Sequence, residues 1–251
     1  MKILVGEQIV EYRDEGKGKI VLLLHGWGAN LATFDQLAEH LVKKFRVVRF
    51  DFPGFGGSPK PSDDWDVNRY AQLAGDFIKK LKLDDLYAVI GHSFGCRVII
   101  KGNAIGSLTP RKIVLIGAAG IKSKRSLKNQ TFKLIAKTGK LLALTPGLNK
   151  IKHNLRAKLY HTIGSSDYLR AGDMQKIFLN VIKEDLLPEV HKIAEPTLLI
   201  WGKDDDQVPV SDGRLIEQQI SKARLVVIPA AGHFVYVDNL QAVTKELDNF
   251  L

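Results

Sequence analysis

Apolar and polar positions along the chain follow two alternating rhythms. Short, nearly continuous apolar runs lie at residues 19–26 (KIVLLLHG), 45–51 (FRVVRFD), 86–92 (LYAVIGH), 112–120 (KIVLIGAAG), 196–202 (PTLLIWG) and 224–233 (RLVVIPAAGH), each ending in Gly, Asp or His. Such runs, apolar at successive positions rather than at every second one, predict strands covered on both faces. Between them, residues 31–44, 66–81, 94–105, 211–220 and 240–251 place apolar side chains three and four apart, the spacing of helices with one buried face. Strand followed by helix, repeated, predicts an α/β fold with a mainly parallel sheet and helices on both faces. Ahead of this pattern, residues 8–19 (QIVEYRDEGKGK) alternate and then reach Gly16 and Gly18, which predicts an antiparallel edge hairpin.

The rhythm breaks once. Residues 121–190 carry helical patterns and no convincing strand, so they are expected to form a helical cap inserted into a core made of residues 1–120 and 191–251. No internal repeat or low-complexity tract is visible.

The stretch VIGHSFGCRVII, residues 89–100, puts Ser93 between a strand and a helix, with Gly91 and Gly95 two positions to either side. Ligands of open α/β sheets gather at the carboxyl ends of the strands, so this junction is where chemistry is expected. A turn sharp enough to lift one side chain clear of the sheet brings backbone against backbone, and the positions two before and two after it must be nearly bare. Ser93 is therefore the candidate nucleophile. A serine hydroxyl needs a base, and the base needs an orienting partner. Of seven histidines, only His233 stands just beyond a late strand. His40, His153, His161 and His191 fall on amphipathic or polar segments, and His92, next to Ser93, is expected to point away across the turn in a packing role. The acid is sought in WGKDDDQVP, where Asp205 is the first choice among Asp204, Asp205 and Asp206, and Asp206 the next.

Five motifs in order, HGWG at 25–28, DFPGFGGS at 51–58, GHSFG at 91–95, WGKDDDQVP at 201–209 and AGHF at 231–234, resemble the α/β-hydrolase superfamily of serine hydrolases. The resemblance covers the chain from about residue 20 to the end, apart from the insertion. It implies the α/β-hydrolase fold and the triad Ser93, Asp205 and His233, since the family's acid stands three residues after the glycine that follows the strand. It also implies an oxyanion hole made by the backbone N–H groups of Trp27 and Phe94. His25, Gly26, His92 and Phe234, beside these motifs, are expected to line the substrate pocket. Members of the superfamily that open epoxides or remove halides carry Asp at the nucleophile position, so Ser93 argues against those reactions. The loop from His25 to Asn30 is similar to that of pimeloyl-acyl-carrier-protein methyl esterases, although GHSFGC differs from their GWSLGG. Carbon–carbon bond hydrolases usually carry a proline in the stretch after the His-Gly pair, which WGAN lacks. The resemblance implies a cofactor-independent serine esterase acting on carboxylic esters. A carbon–carbon bond or lactone hydrolase with the same triad is the alternative, and a catalytically silent receptor stands further off.

Composition adds compartment and charge. With 251 residues, 45% hydrophobic and 25% charged, the chain has the make-up of an ordinary globular protein. The single cysteine, Cys96, cannot form an internal disulfide, and the apolar run at the start is too short for a signal peptide or a membrane span, so a cytoplasmic location is expected. No His/Asp/Glu cluster with ligand spacing appears, so neither metal nor cofactor is expected. The net charge of +10 is concentrated: residues 121–190 hold fourteen basic and five acidic residues, hence +9. Within residues 132–144, Phe132, Ile135, Ala136, Gly139, Leu142 and Ala143 fall at helical spacing on one face, and Lys133, Lys137 and Lys140 on another. The expected partners are a small-molecule ester and, at this basic cap, an anionic carrier protein or a membrane surface. Nucleic acid is not expected, because the segment has few aromatics and no nucleic-acid-binding motif.

Overall fold

The structure is a computed structural model that describes residues 1–121 and 170–251. Its strands are β1 (Lys2–Val5), β2 (Gln8–Gly16), β3 (Ile20–Leu24), β4 (Arg46–Phe50), β5 (Leu86–His92), β6 (Lys112–Ile116), β7 (Thr197–Gly202) and β8 (Ala223–Ile228). They form one sheet in the order β1-β2-β4-β3-β5-β6-β7-β8, parallel from β4 to β8 and antiparallel at β1 and β2. The order reverses around β3, the first parallel strand, so β3 and β5 sit at the centre, where ligand crevices form in such sheets.

Five of the apolar runs become internal strands because both their faces are covered, whereas the sixth, β8, differs from expectation: it ends the sheet, and of its residues only Ile228 is buried. In β3, Leu22 and Leu24 join a cluster with residues of α2 (Val67–Lys80), α3 (Phe94–Ala104) and α6 (Val210–Gln219). Val21 and Leu23 point the other way, into a cluster with α1 (Asp35–Leu41), the short α7 (Val235–Asp238) and α8 (Leu240–Phe250). All seven residues of β5 and all six of β7 are buried. Helix α2 starts where Asp66 accepts the Arg69 N–H at 2.9 Å and ends with Lys79 and Lys80, charges that suit the carboxyl end of a helix.

The amino-terminal hairpin differs from expectation. Its edge strand is β1, which turns at Gly6 and Glu7 into β2, and β2 is internal because it also pairs with β4. The alternation of β2 and its run into Gly16 and Gly18 make it look like an edge in the sequence. In the fold Asp14 takes two hydrogen bonds from Arg46 on β4, at 2.9 and 2.7 Å, and Glu15 meets Arg49 at 2.9 Å. The four residues of β1, with only Val5 buried, carry too little apolar signal to be seen alone. The expected helix over residues 31–44 divides into a 3₁₀ turn, Leu31–Phe34, and α1.

Of the segment 121–190, the described part contains α4 (Gln175–Lys183) and the short α5 (Leu187–Val190). Ile177, Val181 and Leu186 pack into the cluster that also holds α2 and α3. Two cations four residues apart on α3 hold this stretch down. Arg97 donates to the carbonyls of Val181 and Glu184 at 3.0 and 3.2 Å, and Lys101 pairs with Glu184 and Glu189. Burial lowers the Arg97 pKa to about 10, with Glu184 and Asp185 opposing the shift. The expected amphipathic face over 132–144, with Lys133, Lys137 and Lys140, and the histidines His153 and His161 lie outside the described residues. No helix among the described residues is long and apolar enough to cross a membrane.

Candidate active site

Ser93 stands between β5 and α3 with φ 50 and ψ −106, a conformation side-chain-bearing residues rarely adopt and which costs of order 1–3 kcal/mol. Its N–H donates to the Ile116 carbonyl on β6 at 3.0 Å, and its carbonyl accepts from the Cys96 N–H at 3.1 Å. The flanking glycines are required by sterics. A Cβ on Gly95 would sit 2.0 Å from the Leu24 carbonyl oxygen, and one on Gly91 would sit 2.9 Å from the Cys96 nitrogen. The Gly95 obstacle is backbone and cannot rotate away, so α3 would have to lift from β3. Gly95→Ala is expected to cost about 3 kcal/mol. Urea denaturation of the purified variant measures this, and an unchanged midpoint would show that the strand and helix have room to separate.

His233 follows β8, and Asp205 follows β7, so neighbouring parallel strands bring together residues 28 positions apart. His233 Nδ1 and Asp205 Oδ2 are 2.8 Å apart, with both side chains buried. Asp205 Oδ1 accepts the N–H groups of Gln207 and Val208 at 2.9 and 2.8 Å, which locks the carboxylate plane. Asp204 and Asp206 are exposed. With Nδ1–H given to the carboxylate, Nε2 of His233 is the ring nitrogen left to accept a proton. Ser93 and His233 both face a cavity of about 310 Å³, within the size range of small-molecule sites. Trp27, Phe55, Met174 and Phe234 supply its apolar wall, Gly26 and Gly54 its close backbone, and Arg170 and Gln207 polar groups.

Trp27 lines the cavity with Ser93, and Phe94 follows Ser93 in the chain. Among the described residues neither of their N–H groups has a hydrogen-bond partner. Their rings pack edge to face, 5.5 Å apart, and Trp27 also meets Phe55 and Phe178 at 4.8 and 5.1 Å. These contacts fix the two loops that carry the amides.

Gly26, His92 and Phe234 line the cavity, whereas His25 does not, correcting the expectation for that residue. His25 is buried in the layer beneath. Its Nε2 accepts the Phe52 N–H at 3.0 Å, so its Nδ1–H donates to the Gly26 carbonyl at 2.8 Å. In a trans peptide the carbonyl and the following N–H point in opposite directions. Holding the Gly26 oxygen therefore sets the direction of the Trp27 N–H. Burial lowers the His25 pKa to about 4, so the ring is neutral at pH 7 and keeps one donor and one acceptor.

The loop 51–58 is shaped by Asp51, whose Oδ1 accepts the Leu31 N–H at 2.6 Å and whose Oδ2 accepts the Gly57 N–H at 2.8 Å. Tyr70 donates its hydroxyl proton to the Pro53 carbonyl at 3.0 Å. This bracing presents Gly54 and Phe55 to the cavity. Sequence reasoning marked the Gly/Pro-rich loop but not Phe55, Met174, Gln207 or Arg170, which no short motif distinguishes. It also passed over Gly117, whose added Cβ would lie 3.2 Å from His233 Nδ1 and 3.4 Å from Asp205 Oδ2. Among the described residues no group of three or more His, Cys, Asp or Glu is placed to hold a metal ion.

Comparison with known proteins agrees with the fold. The model of the Alpha/beta hydrolase family matches residues 21–246. The chain is 26% identical over 253 residues to 2-hydroxy-6-oxo-6-(2'-aminophenyl)hexa-2,4-dienoic acid hydrolase of Metapseudomonas resinovorans, covering 96% of this chain and 86% of that protein. It is 24% identical over 238 residues to the pimeloyl-[acyl-carrier protein] methyl ester esterase of Nitrosomonas europaea, covering 89% and 92%. Among solved structures, the enol-lactonase of Burkholderia xenovorans superposes with a TM-score of 0.76 at 22% identity, covering 100% of this chain and 99% of that one.

Proposed function

The chain belongs to the alpha/beta hydrolase family, and from that premise we propose that it is a cytoplasmic serine hydrolase of carboxylic esters working through Ser93, His233 and Asp205. The observation that carries the reading is the His233–Asp205 pair at 2.8 Å, facing the same cavity as a serine held in a strained turn. His233 Nε2 takes the Ser93 proton as Oγ attacks the ester carbonyl, and returns it to the leaving alcohol. Asp205 holds the tautomer and stabilises the imidazolium. The Trp27 and Phe94 amides receive the oxyanion, and losing one such donor typically costs ~3 kcal/mol. Water then attacks the acyl-enzyme by the same route in reverse. Trp27, Phe55 and Met174 suit an apolar acyl chain of small or medium size. The lone cysteine, Cys96, is a buried free thiol, which suits a reducing compartment.

Cleavage of a carbon–carbon bond or a lactone is the second reading, because a dienoic acid hydrolase is a relative of this chain and an enol-lactonase shares its fold. Turnover of a p-nitrophenyl ester panel beside a lactone and a vinylogous diketone tests the assignment. Esters hydrolysed at least tenfold better in kcat/KM support it, and the reverse order gives the second reading.

The basic segment extends the proposal to an anionic substrate or partner. Lys133, Lys137 and Lys140 attract an acidic carrier or an anionic membrane surface over a range that salt screens. For an anionic ester, kcat/KM is expected to fall steeply between low salt and 0.5 M NaCl and to fall in Lys133/Lys137/Lys140→Glu, while a small neutral ester keeps its rate. Equal effects on both substrates would reduce the lysines to a solvated surface.

A further inference from the structure

His92 precedes Ser93 and faces three parts of the site at once. Its Nε2 lies 3.0 Å from the His233 carbonyl oxygen. A carbonyl only accepts, so Nε2 carries the proton and donates it. Nδ1 is then a bare lone pair. It is buried without a partner among the described residues and lies against the loop that carries Trp27, where a Cβ on Gly26 would come within 2.8 Å of it. The ring is flanked by His233 at 4.7 Å, Phe234 at 4.8 Å and Tyr236 at 5.2 Å between centroids, which leaves it one orientation.

We propose that His92 is a positioning residue for the base: the Nε2–H bond to the His233 carbonyl sets the peptide plane from which the His233 imidazole is aimed at Ser93. The rest of that loop is tied elsewhere. The Ala231 carbonyl accepts the Asp204 N–H at 2.9 Å, Gly232 donates to Asp238 at 2.7 Å, and the Phe234 carbonyl starts the next helical turn through Val237 and Asp238. Asp205 holds the far side of the imidazole, at Nδ1. A ring held at one nitrogen can still tilt about that bond, and the second tie, through the backbone of the same residue, removes this freedom. Neutrality of His92 belongs to the same device. A second proton would sit on Nδ1 against Gly26 with no acceptor and would place a cation beside His233, which itself becomes cationic as Ser93 attacks. Burial, followed by the neighbouring His233, lowers the His92 pKa to about 3.

The inference rests on His233 being the base, and the test separates the two. A glutamine amide nitrogen reaches the position of a histidine Nε2, whereas phenylalanine fills the volume without a donor. For a p-nitrophenyl ester, His92→Phe is expected to lower kcat by roughly 30- to 100-fold, the scale of an ångström-sized misplacement, with KM within about twofold. His92→Gln is expected to recover kcat to within about fivefold of the native protein, and fluorophosphonate labelling rates should follow the same order. Should His92→Phe fail to fold, His92→Asn, whose amide stops short of the His233 carbonyl, replaces it with the same loss expected. Native kcat in the donor-free variant, equal losses with and without the donor, or a loss confined to KM each overturn the role of His92. Native labelling in His233→Ala would instead overturn the base assignment itself.

Discussion

Ser93→Ala is expected to lose ester turnover by on the order of a millionfold in kcat and to lose all fluorophosphonate labelling, while its unfolding midpoint stays close to that of the native protein. The magnitude follows from covalent chemistry: without Oγ there is no acyl-enzyme, and only binding and the two amides at Trp27 and Phe94 remain. The fold should survive because the strained backbone at residue 93 is imposed by its surroundings. The N–H bond to Ile116 and the contacts of Gly91 and Gly95 do not involve the hydroxyl. His233→Ala should fall nearly as far, since nucleophile and base act as one unit and their losses do not add. Steady-state kinetics and gel labelling on the same preparations measure both, and undiminished turnover in Ser93→Ala would falsify the nucleophile assignment.

Asp205→Asn should lower kcat by about 10⁴-fold, with Asp206→Asn within about threefold of the native protein. Asp205 accepts three hydrogen bonds, from His233, Gln207 and Val208. An asparagine oxygen can keep the two backbone donors only by turning its amide N–H₂ toward His233 Nδ1. That nitrogen must then accept, so the proton moves to Nε2 and the base faces Ser93 in the wrong tautomer. Asp206 is exposed and makes no contact with His233, so its charge is spent in water. Kinetics of the two variants at pH 8, beside their denaturation curves, check the difference. A larger loss in Asp206→Asn would move the acid by one residue.

Much of the architecture and the candidate site was legible because each rests on short-range pattern. Six continuous apolar runs announce strands, and they lie in the sheet as β3 to β8, covered on both faces in all but the edge strand β8. Gly91 and Gly95 around Ser93 announce a turn in which backbones touch, and the distances from their absent Cβ atoms to Leu24 and Cys96 give the reason. Where the sequence was silent, the answer depended on partners far along the chain. Three consecutive aspartates look alike in WGKDDDQVP, and a choice among them on physical grounds needs the position of His233, 28 residues away on the neighbouring strand end. β2 looked like an edge because its residues alternate and run into Gly16 and Gly18, and only the arginines of β4 make Asp14 and Glu15 compatible with an internal strand.

By itself, then, the sequence determined the periodicities, the tight turn at Ser93 and the residue types able to carry the chemistry, since these follow from neighbours within a few positions. Only the tertiary structure put Asp205, already the sequence's first choice for the acid, within 2.8 Å of His233. It seated His25 on the Phe52 N–H, beneath the Gly26–Trp27 peptide rather than in the cavity wall, and turned the His92 N–H to the His233 carbonyl. The physical reason is common to all three: a hydrogen bond between residues far apart in the chain depends on where two backbones cross and which way each side chain leaves its strand end, and no local pattern encodes that crossing.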